Sequence, residues 1–227
     1  MMRAQAVLFD LDGTLLDTAP DMIGALNRLR QEESREPLPF AALRSSVSHG
    51  AVRLITVGFP DAQGAEFERL RLRFLDVYAS NLAGGTRLFD GIEAVLSSLE
   101  ADGLPWGVVT NKPGWLTDPL LQSLGLAQRA CCVVSGDTVA ERKPHPLPLL
   151  HAASLAGVAA NRCVYIGDAE RDIVAGRAAG MQTVVAAYGY LGDDDRPESW
   201  QADGIITQPA RIVDWLDLRH AAAAASA

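Results

Sequence analysis

The chain is predicted to fold as an α/β protein in which a parallel sheet is interrupted by an inserted all-α unit. Three observations predict this. Short apolar runs rich in β-branched residues recur along the chain, helical patterns separate most of them, and one gap between runs is far too long for a single crossover. The runs are Ala6 to Phe9, Trp106 to Val109, Cys131 to Val134, Cys163 to Ile166 and Thr183 to Ala187, with a weaker sixth at Ile205-Ile206. Runs without polar alternation are strands buried on both faces, so the expected core is a doubly wound, Rossmann-like parallel sheet.

The first run, Ala6-Val7-Leu8-Phe9, leads straight into Asp10-Leu11-Asp12-Gly13-Thr14-Leu15. A strand that delivers two carboxylates to its own carboxyl end builds a cation or phosphate site. A turn at Gly13 swings Asp10 and Asp12 toward one point. Asp10 stands where a buried strand would still be apolar, and an unpartnered carboxylate there is costly, so a cation is expected beside it.

Roughly a hundred residues separate the first run from the second, whereas a βαβ unit takes about 30. An inserted domain accounts for the excess. Met22, Leu26 and Leu29 mark one helix and Phe67, Leu70, Phe74, Leu75 and Tyr78 share the face of another, so the insert reads as all-α. Its expected span is 17–85, leaving 1–16 and 86–227 as the core. Thr18-Ala19-Pro20-Asp21 has the form of a capping box, and Gly84-Gly85 reads as a flexible return. Such a unit forms a helical lid over the strand ends.

After the insert the helical patterns are Ile92 to Leu99, Leu116 to Leu124, Leu147 to Ala156 and Asp172 to Ala179. Ligands of open α/β sheets bind beyond the carboxyl ends of the strands. There the second strand offers Thr110-Asn111-Lys112, the region after the third offers Lys143-Pro144, and the fourth ends on Gly167-Asp168 with Asp172 four residues later. Carboxylates, a hydroxyl and an ammonium group converge.

Composition narrows the partners. With 227 residues, 48% hydrophobic, the chain carries 20 Lys plus Arg against 28 Asp plus Glu, a net charge of −8. That balance opposes a nucleic-acid surface and gives no attraction to anionic membranes. An anionic substrate then needs a local positive site, such as a metal. No stretch reaches the ~18 to 20 apolar residues of a membrane span, and Met1-Met2-Arg3-Ala4-Gln5 enters the first strand without a signal-peptide core, so a cytoplasmic protein is expected. Cys131, Cys132 and Cys163 lie in apolar runs and read as buried strand residues. The end, His220 followed by an alanine-rich run to Ala227, reads as a frayed helix extension or a loose tail.

Taken together, the four strand ends resemble the haloacid dehalogenase superfamily. Its phosphatases carry an Asp-x-Asp-Gly-Thr motif, then a Thr or Ser, a Lys, and an acidic motif, and all four are present here in order. The resemblance covers essentially the whole chain, since the insert fits the family's cap domain. It implies that Asp10 is the nucleophile of a phosphate ester hydrolase and Asp12 its general acid and base. It implies Mg²⁺ held by Asp10, Asp168 and the main-chain carbonyl of Asp12, with Asp172 in a supporting position. Thr110, Lys143 and the main-chain N–H groups of Leu11 to Gly13 are then the donors to phosphoryl oxygens.

Relatives with other chemistry bound this reading. Dehalogenases of the family lack the second aspartate, and phosphonatases need a cap lysine, which 17–85 does not contain. A sugar phosphomutase on the same scaffold stays open as an alternative; a non-catalytic phosphate-binding relative should have lost Asp10 or Asp12. Trp106 to Pro113, Lys143-Pro144-His145-Pro146 and Tyr188-Gly189-Tyr190 are similar to phosphoglycolate phosphatases, including the branch acting on N-acetylmuramic acid 6-phosphate. His145 stands where that group often has an acidic or polar residue. Substrate choice belongs to the cap, where Ser48-His49-Gly50 followed by Arg53 is the candidate loop. A small-molecule phosphate ester is the expected partner, and monomer or homodimer is left undecided.

Overall fold

The computed structural model describes residues 4–224. The Met1 to Arg3 start and the last tail residues, 225–227, lie outside them. In chain order the strands are β1 (Ala6–Phe9), β2 (Leu16–Asp17), β3 (Arg87–Leu88), β4 (Trp106–Val109), β5 (Val133–Val134), β6 (Cys163–Gly167), β7 (Gln182–Ala186) and β8 (Gly204–Ile206). The helices are α1 (Ala19–Glu32), α2 (Phe40–Leu43), α3 (Gly50–Gly58), α4 (Gly64–Ala79), α5 (Ile92–Ala101), α6 (Gly114–Ser123), α7 (Leu147–Leu155), α8 (Glu170–Ala178) and α9 (Arg211–Ala224). None of the described helices is long and apolar enough to cross a membrane.

Six strands form one parallel sheet in the order β5-β4-β1-β6-β7-β8. Within β1, Val7 and Phe9 pack with α5, α6 and α9, while Ala6 and Leu8 face the cluster built from α7 and α8. Strand periodicity thus divides four apolar residues between two helical layers, which is the doubly wound arrangement. The register sets Phe9 level with Val108 of β4 and Ile166 of β6. Asp10, Thr110 and Asp168 therefore leave the sheet side by side, at the point where the strand order reverses.

Helices α1, α3 and α4, with α2 and a 3₁₀ turn at Arg44–His49, enclose a second apolar cluster that includes Met22, Leu26, Leu29, Phe74 and Tyr78. Both marked faces point inward as the spacing requires. Leu116 of α6 and Tyr190 join this cluster, which seats the helical unit on the sheet ends.

Three expectations change. At the sheet edge the regular strand is only Val133–Val134, and although Cys131 N still donates to Trp106 O at 2.8 Å, the Cys131 side chain is exposed while Cys132 is buried. Thr18 does not cap α1; its hydroxyl donates to Asp12 Oδ1 at 2.7 Å. Asp21 is drawn elsewhere too, accepting from Gly85 N at 2.8 Å, Thr86 N at 2.7 Å and Thr86 Oγ1 at 2.6 Å. The Gly84-Gly85 return is therefore tied to the start of α1 rather than loose, and a Cβ on Gly85 would come within 2.9 Å of Pro20. The antiparallel β2–β3 ribbon, pairing Leu16 with Leu88 and Asp17 with Arg87, fastens the same two crossings. Two residues per strand leave no period to read.

Asp21→Ala is expected to strand the buried Thr86 N–H and the half-buried Gly85 N–H and lower stability by about 1–3 kcal/mol. Denaturant titration checks this; an unchanged midpoint would show that the clamp contributes nothing.

Candidate active site

A cavity of about 550 Å³ lies between the helical unit and the sheet ends, lined on the core side by Asp10, Asp12, Thr110, Lys112 and Lys143. Asp10 and Lys143 belong to an ion-pair triad that continues beneath the cavity to Asp172. Lys143 Nζ stands 2.7 Å from Asp10 Oδ1 and 2.8 Å from Asp172 Oδ1, and donates to Val109 O at 2.9 Å and Tyr165 Oη at 2.8 Å. All three charged groups are buried. The ammonium is the cation that the position of Asp10 demanded. Asn111 holds it in place, since its side-chain amide donates to Lys143 O and accepts from Lys143 N.

Oxygens of Asp10, Asp168 and Asp172 all lie within 4.8 Å of one another. Burial, opposed by Lys143 but reinforced by Asp172, pushes Asp10 up to about 6. Burial and then the charges of Asp10 and Asp172 push Asp168 up to about 8. One lysine does not neutralise three crowded carboxylates. The cluster is a set of hard oxygen donors short of positive charge, which fits a magnesium-sized dication.

Asp168 is oriented by Tyr190 N, which donates to Oδ2 at 3.0 Å, and by Ser48 Oγ from the helical unit, which donates to Oδ1 at 2.9 Å. It also requires Gly13, where φ is +89° and a Cβ would fall 2.1 Å from Asp168 Oδ2. Glycine there serves both the left-handed turn and the close approach. The Gly13 N–H, expected to face a phosphoryl oxygen, donates to Leu16 O instead and closes that turn.

Asp12 is not one of the clustered carboxylates and has partners of its own. Lys112 Nζ reaches its two oxygens at 2.8 and 3.1 Å, and Thr18 Oγ1 supplies the other donor. Burial alone would lower the Lys112 ammonium, but Asp12 and then Tyr78 outweigh it and hold the group above the usual lysine range. The same ammonium lies 4.7 Å from the centroid of the Tyr78 ring, a cation over an aromatic face. Thr110 is buried at the cavity wall, and its Oγ1 accepts from Lys112 N at 3.1 Å.

Of the two expected cap residues, His49 lines the cavity, with burial and then Arg171 holding its imidazole below the usual value. Arg53 is exposed and outside the lining; the cations that do line it are Arg71, Arg142 and Arg171, besides the two lysines. Arg171 bridges the two units, donating to Ser48 O and, at 3.0 Å, to Ser48 Oγ. Asp172, Asp10 and Asp168 hold Arg171 above its ordinary value despite burial.

The sequence places Asn111 and Lys112 at the second strand's end without a role of their own, and it does not single out Arg171. A usable signal existed for Lys112. The chain holds 18 arginines and only two lysines, Lys112 and Lys143, and both are buried in this site. Arg171, one residue before Asp172 in a helix start, left no such mark.

Residues 7–186 match the model of the haloacid dehalogenase-like hydrolases. A phosphoglycolate phosphatase of Xanthomonas campestris is 51% identical over 213 residues, 93% of this chain and 96% of its own length. An N-acetylmuramic acid 6-phosphate phosphatase of Pseudomonas aeruginosa is 43% identical over 217 residues, 95% of this chain and 96% of its own. A crystal structure described as a predicted phosphoglycolate phosphatase from Haemophilus somnus superposes with a TM-score of 0.84 at 26% identity, covering 94% of this chain and 98% of that one.

Lys143→Met keeps the aliphatic stem but leaves the buried carboxylates uncompensated, with an expected loss of about 3–5 kcal/mol. Saturating Mg²⁺ should restore part of that loss in a thermal melt, because the ion would neutralise the same oxygens. An equal loss with and without Mg²⁺ would contradict a shared site.

Proposed function

The chain belongs to the haloacid dehalogenase-like hydrolases, and from that premise we propose that it hydrolyses a phosphate monoester of a small metabolite with Mg²⁺, through an aspartyl phosphate on Asp10. The observation that carries this reading is the convergence of Asp10, Asp12, Thr110 and Lys143 on the wall of one roofed cavity. Asp10, Asp168 and the main-chain carbonyl of Asp12 are the residues that would hold Mg²⁺, which when bound supplies positive charge to the phosphoryl oxygens.

The protein's own groups have separable tasks. A carboxylate oxygen of Asp10 attacks phosphorus as the ester P–O bond breaks, and Asp12 gives the departing oxygen its proton. Water then attacks the phosphoryl group on Asp10 and returns a proton to Asp12, releasing inorganic phosphate and restoring the Asp10 carboxylate and the Asp12 carboxylic acid. Thr18 and Lys112 fix the side chain of Asp12 for both transfers. Lys143 holds Asp10 in line, and Thr110 Oγ1 offers a donor to the transferring oxygens.

The shape of the cavity supports a bulky leaving group. About 550 Å³ falls in the range of pockets that enclose drug-sized molecules, roughly 300–1,000 Å³, and a two-carbon acid would leave most of it wet. Val52 and Leu72 of the cap and Trp115 of the core, exposed at 57, 51 and 52%, sit at its rim. Exposed apolar side chains gathered at one opening mark a ligand surface. Trp115 presents a flat face suited to the C–H side of a sugar ring, and His49, Arg71 and Arg142 suit acetamido and carboxylate groups. These features favour an acidic amino-sugar phosphate of the N-acetylmuramic acid 6-phosphate type over 2-phosphoglycolate. The three cysteines are free thiols, in keeping with the reducing cytoplasm in which we place this reaction.

Asp10→Asn is nearly isosteric and should abolish turnover of an aryl phosphate while leaving the melting temperature within a few degrees; appreciable activity would rule out Asp10 as nucleophile. Trp115→Ala should raise KM for N-acetylmuramic acid 6-phosphate by about tenfold, equivalent to ~1.4 kcal/mol, and leave hydrolysis of acetyl phosphate unchanged. Equal effects on both compounds would remove Trp115 from leaving-group recognition.

A further inference from the structure

At the opposite end of the sheet from the cavity, where the chain enters β5, Cys131 and Cys132 place their sulfurs 3.9 Å apart. We propose that this pair is an open dithiolate site for a thiophilic metal ion, independent of the acidic site at the strand ends. The spacing selects this chemistry over a disulfide. A disulfide needs sulfurs about 2 Å apart and Cα atoms usually about 4.4–6.8 Å apart, and neighbouring residues hold their Cα atoms at about 3.8 Å. Two metal–thiolate bonds of about 2.3 Å, by contrast, span 3.9 Å when they meet at roughly 115°. That opening suits a trigonal or tetrahedral ion, so the sulfurs need little movement to hold one.

The surroundings favour a soft ion. Cys131 is exposed and gives access, while Cys132 is 7% exposed against the apolar layer of α7. Space for the Cys132 sulfur is kept by Gly107 in the neighbouring strand, where a Cβ would approach it to 2.5 Å. A glycine inside a buried strand often marks such a close approach. The hydrogen bond shared with Cys132, with main-chain N–H groups behind it, lowers the Cys131 thiol to about 7, while the same bond and then burial raise Cys132, whose Sγ donates to Ala152 O at 3.6 Å. Cys131 is the thiolate available near neutrality, and Cys132 gives up its proton as the incoming ion binds. Thiolate ligands select Cu(I) and other soft or borderline ions over the hard Mg²⁺ of an oxygen site. Among the described residues, the one group of three potential ligands within mutual reach is the aspartate cluster. The thiol pair therefore leaves coordination positions for water or a small external thiol.

Cd²⁺ added to the reduced, full-length protein in saturating Mg²⁺ tests the site through the ultraviolet sulfur-to-metal charge-transfer band, which carboxylates do not give. The expected result is one equivalent bound, with affinity falling at least about tenfold in Cys131→Ser and unchanged in Cys163→Ser. Cys131 is on the surface, so its variant should fold; Cys132→Ser is expected to behave alike where it folds. Absence of the band, its persistence at full affinity in Cys131→Ser, or its loss in Cys163→Ser would each overturn the proposal.

Discussion

The ion pairs from Lys143 to Asp10 and Asp172 are the constraint on which the rest of the site depends. An aspartate at the end of a central, fully buried strand is tolerated only if its charge is answered on the spot. Lys143 answers part of it from the loop after β5, Asn111 from the loop after β4 fixes the lysine's backbone, and Asp172 at the start of α8 closes the group. Three separate crossovers are thereby committed to one point. Burial first, and then the crowding of like charges, raises Asp10 and Asp168, and a dication at these oxygens would offset both costs.

The helical unit is coupled to the same point through its joints. Thr18, at the first crossing, reaches Asp12 rather than its own helix, and Asp21 one turn later gathers in the second crossing. Ser48 then meets Asp168 and is itself held by Arg171. Tyr190, which orients Asp168 through its N–H, accepts from Ala19 N with its hydroxyl and donates to Asp17. Residues that position the acids are thus also residues that position the helical unit.

Much of this was legible because it is periodic or punctuated. Buried parallel strands announce themselves as short apolar runs, and Asp10, Thr110, Lys143 and Asp168 follow such runs at or near their ends. The edge was harder: Cys131 still bonds to β4 through its N–H, yet its side chain at the start of this edge strand is exposed. The Thr18 to Asp21 pattern reads as a local cap, but each side chain found a stronger long-range partner, which no local motif records. Arg53 was inferred from helical spacing alone, whereas cavity-facing cations come from elements far apart in the chain, Arg71 in α4 and Arg171 in α8. The pairing of Lys112 with Asp12 spans a hundred residues and is visible in sequence only through the scarcity of lysine.

The division of labour proposed for Asp10 and Asp12 rests on their different surroundings, one within the carboxylate cluster and the other between Lys112 and Thr18. Acid quenching of the enzyme during turnover, followed by peptide mass mapping, tests that division most directly. The account predicts a phosphoryl group on the peptide carrying Asp10, localised to that side chain by fragmentation and lost when the quenched sample is warmed in base. A phosphoryl group localised to Asp12, or to a residue outside this segment, would contradict it.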